Sequence, residues 1–103
     1  MVEVRPLTID GEQYVAVRVA LPKTTLITIQ CDAGYVMCGA LDVQLLRTKL
    51  AERGIIAARA VGVKTIAELE KGVVESCTQG AEELGITPGM PIREALRRMK
   101  TAG

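Results

Sequence analysis

The hydrophobic pattern of this chain changes from extended to helical within one stretch, Gly34-Tyr35-Val36-Met37-Cys38-Gly39-Ala40-Leu41-Asp42. Tyr35 to Cys38 is apolar without alternation, which indicates a strand covered on both faces. Asp42 is a good N-cap, because its carboxylate can accept a hydrogen bond from an unpaired N–H of a first helical turn. We therefore predict that a buried strand ends here and that a helix begins at Asp42.

Upstream of this stretch, the chain predicts three more strands joined by short loops. The strand from Val2 to Ile9 contains Pro6, which places it at an edge of the sheet or gives it a bulge. Asp10-Gly11 is a turn signal, and Tyr14 to Leu21 then alternates between two faces. Leu26 to Cys31 resumes the strand pattern. The simplest arrangement of the four strands is an antiparallel meander.

Downstream, the apolar stripe of the first helix ends near Gly54, a residue suited to a left-handed position after a helix. Ile55 to Val63 predicts a strand parallel to the Tyr35 strand, reached by a right-handed crossover. Thr65-Ile66-Ala67-Glu68 matches a capping box, and Pro91 suits a first helical position. A further helix is predicted from the shared face of Val74, Cys77, Ala81 and Leu84.

These elements predict an α+β fold: a mostly antiparallel sheet of about five strands with four helices packed on it and one β-α-β crossover. The length of 103 residues fits a single domain, residues 1–103. Domains of this size are marginally stable alone, so we expect a homo-oligomer.

Composition excludes several function classes. The formal net charge is +1 and the only aromatic residues are two tyrosines, so a nucleic-acid partner is not expected. Histidine is absent, which removes the Ser-His and Cys-His catalytic pairs and the commonest metal ligand. Asp32 and Asp42 could hold Mg²⁺ together with waters, but a turn aspartate and a capping aspartate explain both without a metal. We predict no metal site and no cofactor.

Cysteine usage and hydropathy predict the compartment. The three cysteines are an odd number without close pairs, a pattern that argues against a disulfide framework and against a zinc site. No apolar run reaches membrane-spanning length, so no membrane partner is expected. We predict a cytoplasmic protein with reduced thiols.

Two segments of the chain are distinctive, Met37-Cys38-Gly39-Ala40-Leu41-Asp42 and Ala58-Arg59-Ala60-Val61-Gly62-Val63-Lys64-Thr65. With them, the chain resembles the YunC family, a group of small bacterial and archaeal proteins of unassigned function. The resemblance covers nearly the whole chain and includes Leu21-Pro22-Lys23-Thr24. It implies a compact cytosolic domain of α/β type, and it implies no activity.

Cys38 and Asp42 are the catalytic candidates. Cys38 precedes a predicted helix N-terminus, where the helix dipole and free N–H groups can lower a thiol pKa. Asp42 is a candidate acid or base. The alternative is structural: free cysteine is usually a small buried apolar residue, and Asp42 is explained as a cap.

The ligand-binding candidates are Arg59, Lys64, Thr65, Asp32 and Lys23. Arg59 lies in an otherwise apolar strand and needs a partner, either a ligand or a carboxylate such as Asp42, Asp32 or Glu75. The Gly62-Val63-Lys64-Thr65 turn combines glycine, an amine and a hydroxyl before a helix, which suits an anion. Thr65 is also explained as an N-cap, and Asp32 and Lys23 as polar loop residues.

Three hypotheses of function remain. The first, which we prefer, is binding of a small anionic metabolite at strand ends and helix N-termini near the two distinctive segments. The second is an enzyme that uses Cys38 or Asp42. The third is a structural or interaction module whose apolar strand faces form a homo-oligomer.

Overall fold

The strands form one sheet whose spatial order follows the sequence. A computed structural model describes residues 2–39, 43, 47 and 54–102. In this part of the chain the sheet has six strands in the order β1-β2-β3-β4-β5-β6. The strands are β1 Val2–Ile9, β2 Glu12–Leu21, β3 Thr24–Gln30, β4 Tyr35–Met37, β5 Ala57–Arg59 and β6 Ser76–Cys77. The helices are α1 Ile66–Glu70, α2 Gln79–Glu82 and α3 Ile92–Ala102.

Strands β1 to β4 form the predicted antiparallel meander. β1 lies at the edge of the sheet, and Pro6 pairs with Val15 in an unbroken register, so the proline occupies an edge strand without a bulge. The β1–β2 turn has positive φ angles at Asp10 (51°) and Gly11 (83°). Those angles are typical of a type I′ hairpin turn, whose twist matches that of the flanking strands.

Strands β4 and β5 are parallel, with Tyr35 opposite Ala57 and Met37 opposite Arg59. Between them, Val43 and Arg47 are helical, which agrees with the predicted crossover. The predicted helix start at Asp42 lies outside the described residues. β5 is shorter than the predicted strand from Ile55 to Val63. Beyond it the chain turns at Gly62, which has a φ of 76°.

The helix predicted through Val74, Cys77, Ala81 and Leu84 is partly wrong. Cys77 lies in β6, which pairs antiparallel with β5, and α2 begins only after Thr78. The Thr78 side chain accepts hydrogen bonds from the backbone N–H of Ala81 (3.3 Å) and of Ala57 (3.1 Å). The helical spacing was coincidental, because a short strand and a short helix bury their apolar residues in succession.

Helices α1 and α3 cover one face of the sheet and build the core with it. The largest fully buried side chains come from both layers: Ile27, Ile29, Leu69, Ile86, Ile92, Leu96, Met99, Val36 and Val74. On the opposite face, Val43 packs with Ala57 and against Tyr35 and Met37, so this side chain covers part of β4 and β5. Among the described residues, no helix has the length and hydrophobicity to cross a membrane.

Candidate functional site

Lys23 and Lys64, two of the predicted ligand-binding residues, line one cavity. Its volume is about 350 Å³, and Thr24, Thr25 and Val63 complete the described lining. We call it the lysine cavity. The two lysines are far apart in sequence, and the fold brings them together.

The sheet register positions the lysine cavity. Lys23 lies in the two-residue turn between β2 and β3, where Leu21 pairs with Thr24. Cys38 follows β4 and lies beside the first half of β3, since its N–H donates to Ile27 O (3.1 Å) and its thiol donates to Thr25 O (3.7 Å). Lys64 follows the carboxyl end of the adjacent parallel strand β5. The carboxyl ends of parallel strands are a common location for ligand sites in α/β sheets.

The electrostatics of the lysine cavity favour an anion. Within residues 2–39, 43, 47 and 54–102, neither lysine amine takes part in an ion pair. The carboxylate of Glu68 lies beside Lys64, but it accepts a hydrogen bond from the Lys64 backbone N–H (2.8 Å). A lysine ammonium group provides up to three hydrogen-bond donors.

Thr65 has a structural task. Its hydroxyl accepts a hydrogen bond from the Glu68 N–H (3.0 Å), which makes it the N-cap of α1. The predicted capping role is thus observed. Its role in ligand binding stays a prediction, and the hydroxyl is already engaged.

Arg59 lines a different cavity, of about 400 Å³, together with Arg47, Ser76 and Glu82. The Arg59 Nε lies 2.9 Å from Glu75 Oε1, and Arg47 forms an ion pair with Glu82. The Ser76 hydroxyl, which donates to Glu75 Oε1 (2.6 Å), and Arg59 together lower the pKa of Glu75. Here each arginine faces a carboxylate, so an added anion gains less than in the lysine cavity.

Asp32 lies in a third cavity, of about 380 Å³, which it shares with Gly34, Tyr35 and Ile56. Tyr35 begins β4, so this cavity is at the amino end of that strand and the lysine cavity is at its carboxyl end. The five predicted ligand-binding residues are therefore not one cluster. Lys23 and Lys64 meet, whereas Arg59 and Asp32 lie elsewhere.

Cys38 is buried in the core, with 4% of its surface exposed. Its thiol donates a long hydrogen bond to Thr25 O (3.7 Å). Asp42, the other catalytic candidate, lies outside the described residues. A catalytic Cys38 stays a prediction, and its burial favours the structural alternative because a nucleophile has to reach its substrate.

Cys77 is a second buried thiol, and it donates to Ile86 O (3.5 Å). Burial raises its pKa, and the charge of Glu82 adds to this effect. A thiol in this environment is protonated at neutral pH and is a poor nucleophile.

Arg47 was missed by the sequence prediction. It lies one helical turn after Val43, whose side chain packs on the sheet. Positions i and i+4 share a helix face. The spacing of Arg47 from the apolar Val43 could therefore have predicted that the arginine faces the sheet. Its Nη1 donates to Cys77 O (3.0 Å) and thereby connects Arg47 to β6.

Three comparisons relate the chain to known proteins. Residues 37–99 match the family described as Domain of unknown function (DUF1805). Uncharacterized protein YunC of Bacillus subtilis (strain 168) is 54% identical over 99 residues, which are 96% of this chain and 98% of that protein. The crystal structure of a protein of unknown function, TA1206 from Thermoplasma acidophilum, has a TM-score of 0.85 at 29% identity and covers 96% of this chain and 93% of its own. The chain therefore belongs to the YunC-like family of DUF1805 proteins.

Proposed function

We propose that this protein binds a small anionic metabolite in the lysine cavity. The observation that carries the proposal is the convergence of Lys23 and Lys64 on one cavity. Like charges that face one cavity repel each other, and an anion bound between them replaces that repulsion with attraction.

The chemistry of the lining fits a phosphate or carboxylate group. Ammonium groups bind such anions as compact charges with several donors. Thr24 and Thr25 also line the cavity, and a threonine hydroxyl can add a neutral donor. A ligand with one or two anionic groups matches this set.

The backbone of Lys23 supports a functional role for this turn. Its φ of 65° is a left-handed conformation, which costs an L-residue about 1–2 kcal/mol and which glycine adopts freely. Strained non-glycine residues cluster at functional sites. The presence of lysine in a left-handed conformation, where glycine would be more stable, supports a function of its amine in ligand binding.

We also propose the setting in which this binding occurs. Three free cysteines are compatible with the reducing cytoplasm. The net charge of +1 gives no reason to expect nucleic acid. Finally, we propose that copies of the chain associate. No observation among the described residues favours the enzyme hypothesis over binding.

Isothermal titration with inorganic phosphate, sulfate and a panel of di- and tricarboxylates tests the binding proposal. We expect at least one anion to bind the wild-type protein, and Lys23→Ala and Lys64→Ala each to weaken it about tenfold. That factor corresponds to about 1.4 kcal/mol, near the contribution of one charged hydrogen bond. Lys71→Ala, an exposed lysine at the end of α1, is the matched control.

Two outcomes would count against this assignment. If no anion binds at millimolar concentration and low salt, the proposal fails. If Arg59→Gln abolishes binding while Lys23→Ala and Lys64→Ala do not, the ligand occupies the Arg59 cavity instead.

A further inference from the structure

One face of the β1–β3 meander is apolar and open to solvent. The register pairs Val4 with Val17 and Val19 with Leu26, so alternate residues of the three strands share this face. We call it the open face and define it by Val2, Val4, Val15, Val17, Val19 and Leu21. Four of these side chains are well exposed: Val2 (64%), Val4 (63%), Leu21 (44%) and Val15 (38%).

The open face is apolar although it is exposed to water. The solvated face of an antiparallel sheet is usually polar. Here the other positions on the same face of β1, β2 and β3 are Pro, Thr, Gln and Leu. Within Val2–Ile9, Glu12–Leu21 and Thr24–Gln30, the open face therefore carries no charged side chain. Contiguous apolar patches of this kind mark interaction sites.

The opposite face of the same strands provides an internal comparison. Tyr14 and Ala16 are buried there under the helices. Farther along that face, Glu3, Arg5 and Arg18 are charged, and Arg5 Nε lies 3.1 Å from Glu3 Oε2. The chain thus places charges where a strand face meets water, and it places none on the open face.

We propose that the open face is a two-fold interface with a second copy of this chain, in which two meanders pack face to face as a β-sandwich. In such an interface the same patch meets itself. An uncharged patch meets itself without like-charge repulsion, which makes it self-complementary. The proposal gives a surface to the self-association proposed above and is independent of the lysine cavity.

The edge of the sheet is a poorer interface than its face. β1 is an edge strand, but Pro6 at its middle has no N–H to donate to a second β1. Val43 packs on β4 and β5 on the same side as the open face. The second copy is therefore confined to β1, β2 and β3.

The size of the open face predicts a reversible dimer. A rise of about 3.3 Å and a strand spacing of about 4.8 Å give each residue about 16 Å² of the sheet plane, so the three strands span about 400 Å². Stable interfaces bury about 800 Å² of accessible surface per partner. Because interdigitated side chains bury more than the flat area, we expect a dimer with micromolar affinity.

Sedimentation velocity from low to several hundred micromolar protein tests the interface. We expect the wild-type mass to approach that of a dimer as concentration rises, and Val4→Glu to weaken the dimer at least tenfold. Val73→Glu is the matched control, since Val73 is equally an exposed valine (54%) but lies outside the open face. Val2→Glu repeats the test if Val4→Glu does not fold by circular dichroism.

Each contrary result overturns the inference. A wild-type protein that stays monomeric throughout, a Val4→Glu and Val2→Glu pair that both dimerise normally, or a Val73→Glu variant that dissociates equally would do so. A monomer that instead binds lipid vesicles through Val4 would assign the face to a membrane surface. Anion titration of folded Val4→Glu separates the two proposals, because its lysine cavity is unchanged.

Discussion

At the scale of single residues, Lys23 has an unfavourable backbone conformation and a side chain that can bind an anion. The turn between β2 and β3 contains Pro22, whose fixed φ suits the first central position, and Lys23 at the second. The second position has a φ of 65°, where glycine is the residue of lowest energy. The sequence instead places a lysine there, and this residue lines the lysine cavity.

Replacement of Lys23 separates stability from binding. We expect Lys23→Gly to be more stable than Lys23→Ala by about 0.5–1 kcal/mol, because glycine relieves a left-handed strain of about 1–2 kcal/mol and loses part of that gain to entropy. Both variants should lose anion affinity. Urea unfolding at 25 °C measures the difference, and an alanine variant as stable as the glycine variant would show that the turn is not strained.

At the scale of elements, Thr78 joins three segments of the fold. Its hydroxyl donates to Ile55 O (2.6 Å) and accepts from the N–H groups of Ala57 and Ala81. It is only 2% exposed. Thr78 directly follows β6 in the chain. Its single hydroxyl caps the N-terminus of α2 and also hydrogen-bonds to the backbone at the beginning of β5.

Loss of this hydroxyl should be costly. We expect Thr78→Ala to lower the free energy of unfolding by about 2–3 kcal/mol, since an N-cap contributes about 1 kcal/mol and further buried groups are left unpaired. Thr78→Ser should recover most of the loss, and Thr78→Val should not, because it keeps the volume without the oxygen. Chemical unfolding of the three variants decides between hydrogen bonding and packing.

The same scale shows what sequence patterns can and cannot predict. The meander followed from alternation and turn chemistry, because these are local properties of each strand. β6 has two residues and no periodicity, and it depends on hydrogen bonds to β5 that no local pattern reveals. Lys23 and Lys64 were recognised separately by their chemistry, but their meeting depends on strand register. Arg59 lies on the opposite side of the sheet from the buried Cys38. This too could be predicted only from the pairing of β4 with β5.

At the scale of the whole molecule, two glutamates that pair with arginines link stability to pH. The hydrogen bond from Ser76 and the contact with Arg59 lower the pKa of Glu75, and the hydrogen bond from Arg97 lowers the pKa of Glu94. The unfolded chain therefore binds protons at higher pH than the folded chain does at these two carboxylates. Their contribution to stability is fully present above the unfolded pKa and is lost as pH falls through the folded pKa.

We accordingly expect the urea midpoint to be flat near neutral pH and to fall below about pH 4.5, where unfolded glutamates become protonated. The decrease at these sites should be modest, because both carboxylates are near the surface. The double variant Glu75→Gln/Glu94→Gln should show a shallower acid slope than the wild type. If the urea midpoint of the double variant falls as steeply with pH as that of the wild type, other carboxylates determine the loss of stability in acid.

Helix α3 closes the molecule over strands made much earlier in the chain. Its Ile92, Leu96 and Met99 are fully buried, and Lys100 donates to the carbonyl of Gln13, 87 positions before it (2.8 Å). The ribosome therefore completes the six described strands before it makes the helix that shields their inner side. Until α3 has left the ribosome and packed, a sheet formed by the earlier strands exposes apolar side chains on both sides, which makes the incomplete chain prone to aggregation.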